Sequence, residues 1–335
     1  MGTEIFCPIC EEKVSLDSFR EVYVSPYNNQ EYKRYECPNC DVHWWEPLKI
    51  IPEFYESEVF EVYVTFHEGI RELPERCKPF FYLFPSQVRG RLLDVGCGDG
   101  VFLKHAKKAS FEVWGIDFDK KSVEVARKAL NTNTIYAMNL EEFYEYARKE
   151  GLKFDVITFF DVLEHQDKPR EFLRMVRELL KEGGYIAGTV PNRERPFAKD
   201  IDWKYFHVDY PPHHFLRFSK YSLEKVLKLS GFSEVSVRRL DFTFKDLILC
   251  VERKFFGDLH GLKHKLKVMV LGSKRRARGY AVEDLDKVSQ KVRATVLKAL
   301  KLGRNLALLP FALLYLGKLK GNKGNGSHLY FQAKD

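Results

Sequence analysis

From Arg91 onward, short apolar runs alternate with amphipathic stretches. The apolar runs lie near 91–95, 112–117, 133–138, 154–160 and 184–190, and the stretches with helical spacing near 101–109, 120–131, 140–150, 169–182 and 220–231. Strands alternating with helices of this length predict an α/β fold, a doubly wound, Rossmann-like parallel sheet. A sixth strand is expected from Ser233 to Leu240, parallel to the first five, and a seventh from Ser327 to Lys334. Between the last two lies a long insertion that ends in the glycine-rich return loop Gly321–Gly326.

The segments upstream read differently. Residues 1–50 are β-rich and carry two cysteine pairs, and residues 51–89 read as a helical connection rich in Phe, Tyr and Glu. The α/β domain then takes 90–244 and 327–335, with a basic helical insertion or cap at 245–326. A length of 335 residues and 45% hydrophobic content suit about two domains with a sizeable core. The longest apolar run, Leu306–Leu316, contains Pro310 and falls short of the roughly 20 residues a membrane span needs. Met1–Phe6 shows no cleavable signal peptide, so a cytoplasmic chain is expected.

The cysteines add chemistry. Cys7-x-x-Cys10 and Cys37-x-x-Cys40 each hold a proline directly after the first cysteine, Pro8 and Pro38. Two such knuckles match a four-thiolate tetrahedral site for structural Zn2+, which would hold a ribbon too small to build its own core. A redox pair is the alternative for either CxxC taken alone. Cys77, Cys97 and Cys250 read as buried thiols.

The first α/β strand runs into the turn Asp94-Val95-Gly96-Cys97-Gly98-Asp99-Gly100. The second strand ends in Asp117, the third is followed by Asn139, and the fourth reaches Asp161. In a doubly wound sheet ligands bind beyond the carboxyl ends of the strands, so these residues outline a nucleoside-binding crevice. Asp117 is placed to accept hydrogen bonds from a ribose diol, with a helix cap as its plain alternative. Asp94, ahead of a GxGxG turn, repels phosphate and suits an ammonium-bearing ligand. The combination resembles the class I S-adenosylmethionine-dependent methyltransferases. The likeness runs through Gly115-Ile116-Asp117, Phe154-Asp155-Val156-Ile157, Asp161-Val162-Leu163-Glu164-His165, Leu180–Gly184 and Leu229-Ser230-Gly231-Phe232.

That resemblance implies S-adenosylmethionine as cofactor and a role for each matching position. Gly96 and Gly98 would contact the methionine part, with Asp94 near its amino group. Asp117 would hold the ribose, Phe118 and Leu140 would flank the adenine, and Asp161 would line the methionine end. Asn139 stands where many relatives carry an acid beside the adenine. His165 reads as a brace for its loop.

The acceptor side is expected in Trp203–Phe215, dense in aromatics and imidazoles, where His213 or His214 is the candidate general base. The alternative is that both only fix the loop. Relatives with a histidine-rich loop here include sugar and quinone-type O-methyltransferases. The tetrapeptide of DNA amino-methyltransferases is absent after the fourth strand, where Asp161-Val162-Leu163-Glu164 stands.

Charge completes the picture. Of the net +8, residues 260–323 hold 16 Lys/Arg against three acids, which is +13, and the rest of the chain is −5. Such a segment, ending in apolar clusters, suits a packed helical lid or dimer contact, contact of 263–323 with an anionic membrane surface, or, in third place, RNA. The expected function is methyl transfer to a small, sugar-like or lipid-linked acceptor, with peripheral attachment to the membrane as an extension. An RNA methyltransferase and a non-catalytic zinc-ribbon adaptor are the alternatives. The oligomeric state is left open.

Overall fold

Phe154–Phe160 is buried at every position but Asp155, a pattern that suits a central strand covered on both faces. The structure, a computed structural model, describes residues 4–51, 72–195, 210–256, 299, 302–315, 317, 324 and 326–335. In chain order, β1 (Ile5–Phe6), β2 (Lys13–Val14), β3 (Phe19–Val24), β4 (Glu31–Glu36) and β5 (His43–Glu46) carry the paired cysteines. A 3-10 turn at Glu75–Cys77 and the short helix α1 (Phe80–Leu83) precede β6 (Gly90–Val95), α2 (Val101–Lys108), β7 (Phe111–Asp117) and α3 (Lys120–Leu130). Next come β8 (Ile135–Ala137), α4 (Leu140–Lys149), β9 (Phe154–Phe160), α5 (Pro169–Leu179) and β10 (Leu180–Pro191). The chain then forms β11 (Leu216–Arg217), α6 (Lys220–Leu229), β12 (Ser233–Arg239), α7 (Phe244–Phe256) and β13 (His328–Lys334).

The expected seven-stranded sheet is present, in the order β12-β13-β10-β9-β6-β7-β8. Neighbours from β10 to β8 are parallel, while β13 runs antiparallel to both β10 and β12. The chain leaves β6 towards β7 and β8, then returns to β9 on the other side. The gap between β6 and β9 at their carboxyl ends is therefore the switch point where a ligand is received.

Local chemistry fixes the helices. Asp119 caps α3 by accepting the Lys121 N–H, Asn139 and Glu142 form a capping box on α4, and Ser219 and Ser222 form another on α6. Successive strand residues point to opposite faces, so Leu92 and Leu93 enter different cores. Leu92 meets Phe102, Leu103 and Val123, whereas Leu93 belongs to the core of Phe143, Phe172 and Val176. That second core continues into the cysteine module through Ile9 and Trp44.

Two compact units result. One comprises Met1–Arg195, His207–Leu240 and Ser327–Asp335; the other comprises Pro196–Phe206 and Asp241–Gly326. The cysteine module falls in the same unit as the large sheet, because β11 joins β5 in a four-stranded sheet ordered β11-β5-β4-β3. In the second unit α7 is started by a reciprocal cap between Thr243 and Asp246.

Some boundaries differ from those expected. Helix α5 stops at Leu179 and β10 starts at Leu180, because that strand bulges between Leu180 and Tyr185, where Gly183 takes a φ of +67°. The described part of the connection, 72–89, holds only the 3-10 turn and α1 rather than long helix. Expectations for 52–71, Trp203–Asp209 and Lys274–Arg278 fall outside the described residues.

Candidate active site

The crevice begins at the turn after β6. Gly96, Gly98 and Gly100 have φ values of +75°, +52° and +73°, the left-handed region that only glycine enters without strain. A Cβ on Gly96 would also lie 2.9 Å from a Val162 methyl, so the turn is a cradle that a side chain would fill.

Asp117, the last residue of β7, folds back over this turn. Its Oδ2 accepts the Gly98 N–H at 2.9 Å and its Oδ1 the Asp119 N–H at 2.9 Å. Each carboxylate oxygen keeps a second lone pair for a ligand hydroxyl. Burial pushes Asp117 up to about 6, with the two backbone donors pulling the other way. Asp94 is buried and accepts from the Thr158 hydroxyl at 2.7 Å. Burial pushes it up to about 8, so a cation arriving beside it would draw off its proton.

Around the rim, Phe118 is 41% exposed and Leu140 is buried at the first turn of α4. Asn139 has a structural duty: its side-chain oxygen accepts the Glu142 N–H at 2.8 Å as the cap of α4. The acid of relatives is thus replaced by a residue serving the helix start.

Asp161 follows β9 with a φ of +55°, and its Oδ1 accepts from Thr189 Oγ1 at 3.2 Å. Arg76 Nε lies 2.8 Å from its Oδ2 and His328 Nε2 lies 3.5 Å from the same oxygen. Burial opposes ionisation here, yet His328 and Arg76 hold Asp161 well below the usual carboxylate range. Sequence reasoning missed Arg76, His328, Thr158 and Thr189. None sits in a motif, and Arg76 and His328 lie 85 and 167 residues in sequence from Asp161.

Beyond Asp161 three imidazoles converge. The ring centroids of His165 and His213 are 4.6 Å apart, those of His165 and His214 4.7 Å, and those of His213 and His214 4.4 Å. His165 Nδ1 lies 2.5 Å from the His213 carbonyl oxygen, which can only accept, so Nδ1 carries the proton. Burial and the neighbouring His213 push His165 down to about 3. A base that weak suits a brace. The buried Glu164 carboxylate is 3.9 Å from His165 Nε2 and 3.8 Å from His214 Nε2. His214 lines a small hollow with Pro191, Arg193, Arg195, Leu216 and Arg217.

The histidine loop is held from the cysteine module. Trp45 N–H donates to the Phe215 carbonyl at 3.1 Å, and Leu216 and Arg217 pair with Trp44 and His43. Tyr210, four residues before His214, packs on Tyr23 and Trp45 with ring centroids 4.6 and 5.3 Å away. Asp41 takes Arg193 in a two-pronged pair at 2.7 and 2.8 Å and also accepts from Ser219 Oγ. The four thiols themselves cluster: Cys7 and Cys40 sulfurs are 3.3 Å apart, Cys10 and Cys37 sulfurs 3.6 Å, and all four lie within 4.8 Å. Sulfurs around a tetrahedral zinc with bonds near 2.3 Å are separated by about 3.8 Å, so the donor set fits such an ion.

A model of a methyltransferase domain matches residues 67–237, just over half of the chain. The ubiquinone biosynthesis O-methyltransferase of Vibrio vulnificus (strain YJ016) is 34% identical over 104 residues, 31% of this chain and 44% of that protein. Its namesake from Bordetella avium (strain 197N) is 32% identical over 151 residues, covering 45% of this chain and 56% of that protein. The chain thus spans about half the length of the curated relatives it matches. Among solved structures, a SAM-dependent methyltransferase from Archaeoglobus fulgidus aligns over 82% of this chain and 99% of its own at 16% identity, with a TM-score of 0.47. Haemonchus contortus phosphoethanolamine N-methyltransferase 2, in complex with S-adenosyl-L-methionine, aligns over 77% of this chain and 52% of its own at 15% identity, with a TM-score of 0.45. By the family match, the chain belongs to the methyltransferase-domain family.

Proposed function

We propose that the chain methylates an oxygen of a small, phenolic or quinone-like acceptor, with His214 or its neighbour His213 taking the hydroxyl proton. The observation that carries this reading is the imidazole cluster of His165, His213 and His214 at the carboxyl end of β9. The O-methyltransferase names of the partial relatives support oxygen as the acceptor atom.

Bound S-adenosylmethionine supplies a methyl carbon activated by its sulfonium. The chain's own residues would do the rest. Gly96 and Gly98 admit the methionine part, Asp94 faces its amino group, and Asp161 lines that end. Asp117 holds the ribose hydroxyls, and Phe118 and Leu140 border the adenine, with Asn139, whose side-chain oxygen caps α4, beside them. His165 donates to the His213 carbonyl and so sets the orientation of the pair. A histidine then removes the acceptor proton as the new oxygen–carbon bond forms and passes it to water.

Cys7, Cys10, Cys37 and Cys40 would bind a structural Zn2+. Burial pushes the Cys37 thiol up to about 11, and the Cys40 thiol together with burial raises Cys7 well above its ordinary value. A divalent ion would reverse that by stabilising the thiolates. The ion's role is to hold the ribbon against the histidine loop. The family match favours neither an RNA methyltransferase nor a non-catalytic adaptor.

Glycan and lipid-linked acceptors share the hydroxyl chemistry, and a cytoplasmic enzyme touching the membrane through 263–323 would meet either. The test is labelled methyl transfer into fractionated extracts. Label in small aromatic or quinone material is the expected outcome, and label confined to RNA would overturn the reading.

A further inference from the structure

Residues 302–314 are helical, and two faces of this helix are apolar. Leu308 and Ala312 are buried, as the inward face of any packed helix must be. Leu302, Leu306, Leu309 and Leu313 follow one another at steps of four, three and four, which aligns them on a single face. That face is open: Leu302 is 60% exposed, Leu306 59%, Leu309 36% and Leu313 53%. Leu314, at its margin, is 78% exposed. Scattered surface leucines are ordinary, but a continuous row of them marks a surface that another phase or molecule covers.

Charge selects what covers it. From Lys287 to Lys323 the sequence holds nine Lys/Arg and no acid. Within the helix Arg304 is turned aside, 3.3 Å from the buried Glu252 carboxylate. The other cations flank the leucine row in sequence, with Lys298 and Lys301 before it and Lys318, Lys320 and Lys323 after it. A second copy of this chain would bring two strongly positive segments face to face. RNA would satisfy the cations and leave the leucines in water. A bilayer with anionic headgroups satisfies both, since leucines enter the headgroup–acyl boundary while Lys and Arg meet phosphate. Among the described residues no helix is long and apolar enough to cross a membrane, so the contact is in the plane of the surface.

We infer that the leucine face of 302–314 docks in the interface of an anionic bilayer, lying along it. This gives a definite surface to the membrane part of the proposed function and does not depend on the transfer chemistry.

The experiment is co-sedimentation of the full chain with phosphatidylcholine vesicles, with and without about one-third phosphatidylglycerol. Wild type is compared with the double variant Leu306→Ser/Leu313→Ser, and S-adenosylmethionine affinity is measured on both by calorimetry. Wild type should bind the anionic vesicles at least about tenfold better than neutral ones, with weakening at high salt. The double variant should lose about tenfold or more while its cofactor affinity is unchanged. Equal vesicle binding by the double variant would overturn the inference. So would failure of wild type to bind anionic vesicles, whether it instead forms a dimer that the substitutions dissociate or binds RNA with no sensitivity to the leucines. Loss of cofactor binding in wild type would instead strike at the proposed function.

Discussion

Asp117→Ala is expected to weaken S-adenosylmethionine binding about a hundredfold, measured by calorimetry, with little change in the far-ultraviolet spectrum. In the proposed binding mode the substitution removes charge-assisted hydrogen bonds to the ribose, each contributing about 1.5–3 kcal/mol. It also removes the acceptor of the Gly98 N–H, which shapes the glycine turn. The same carboxylate sets a pH dependence. Burial raises Asp117 to about 6 in the folded chain, whereas an unfolded aspartate titrates near 3.9. The folded chain therefore holds the extra proton between these values, and this group's contribution to stability falls as pH rises from about 4 through 6. Ribose binding favours the ionised form, so affinity should drop by up to about tenfold per unit as pH falls below 6. Asp94, pushed up to about 8 and ionised by the arriving amino group, adds its own slope below pH 8, so Asp117→Ala should remove only the extra steepening below 6.

The double variant Cys37→Ser/Cys40→Ser is expected to separate the two halves of the reaction. It removes half of the four-thiol set, so bound zinc measured by mass spectrometry should disappear. The consequence lies beyond the ribbon. Asp41, adjacent to Cys40, holds Arg193 and Ser219, and Trp45 holds the Phe215 carbonyl. Loosening this strand should free the loop of His213 and His214 and leave the Asp117 side in place. Methyl transfer should fall about a hundredfold, the scale of losing a positioned general base, while cofactor affinity stays within about threefold. Amide exchange should quicken across 210–218. A fully active, zinc-free double variant would show that the ribbon does not support the loop.

Much of this architecture was legible in the chain. The alternation of apolar runs and helical stretches reports burial directly, so the seven strands and the crevice at their tips follow from periodicity and from Gly96, Gly98 and Asp117. The cysteine spacing reports a knuckle because both sulfurs of each pair come from one tight turn. What stayed hidden depends on contacts distant in sequence. The pairing of Leu216–Arg217 with His43–Trp44 joins segments about 170 residues apart through a two-residue strand, too short to carry a pattern. Arg76, in a stretch read as helical connection, closes on Asp161 with no local sign of its destination. The capping bond of Asn139, made through its side-chain oxygen, became visible only with the start of α4. The end of α5 at Leu179 was obscured because Lys181 and Glu182 extend a helical pattern into a strand that bulges at Gly183.

The most direct measurement of the central claim is transfer of labelled methyl from S-adenosylmethionine to a catechol acceptor by wild type and by His214→Gln, with cofactor affinity determined for both. The expected result is a labelled aryl methyl ether from wild type, about a hundredfold less from His214→Gln, and equal cofactor affinity. Unimpaired transfer both by His214→Gln and by a parallel His213→Gln, or cofactor binding with no methylation of the catechol oxygen by wild type, would contradict the account.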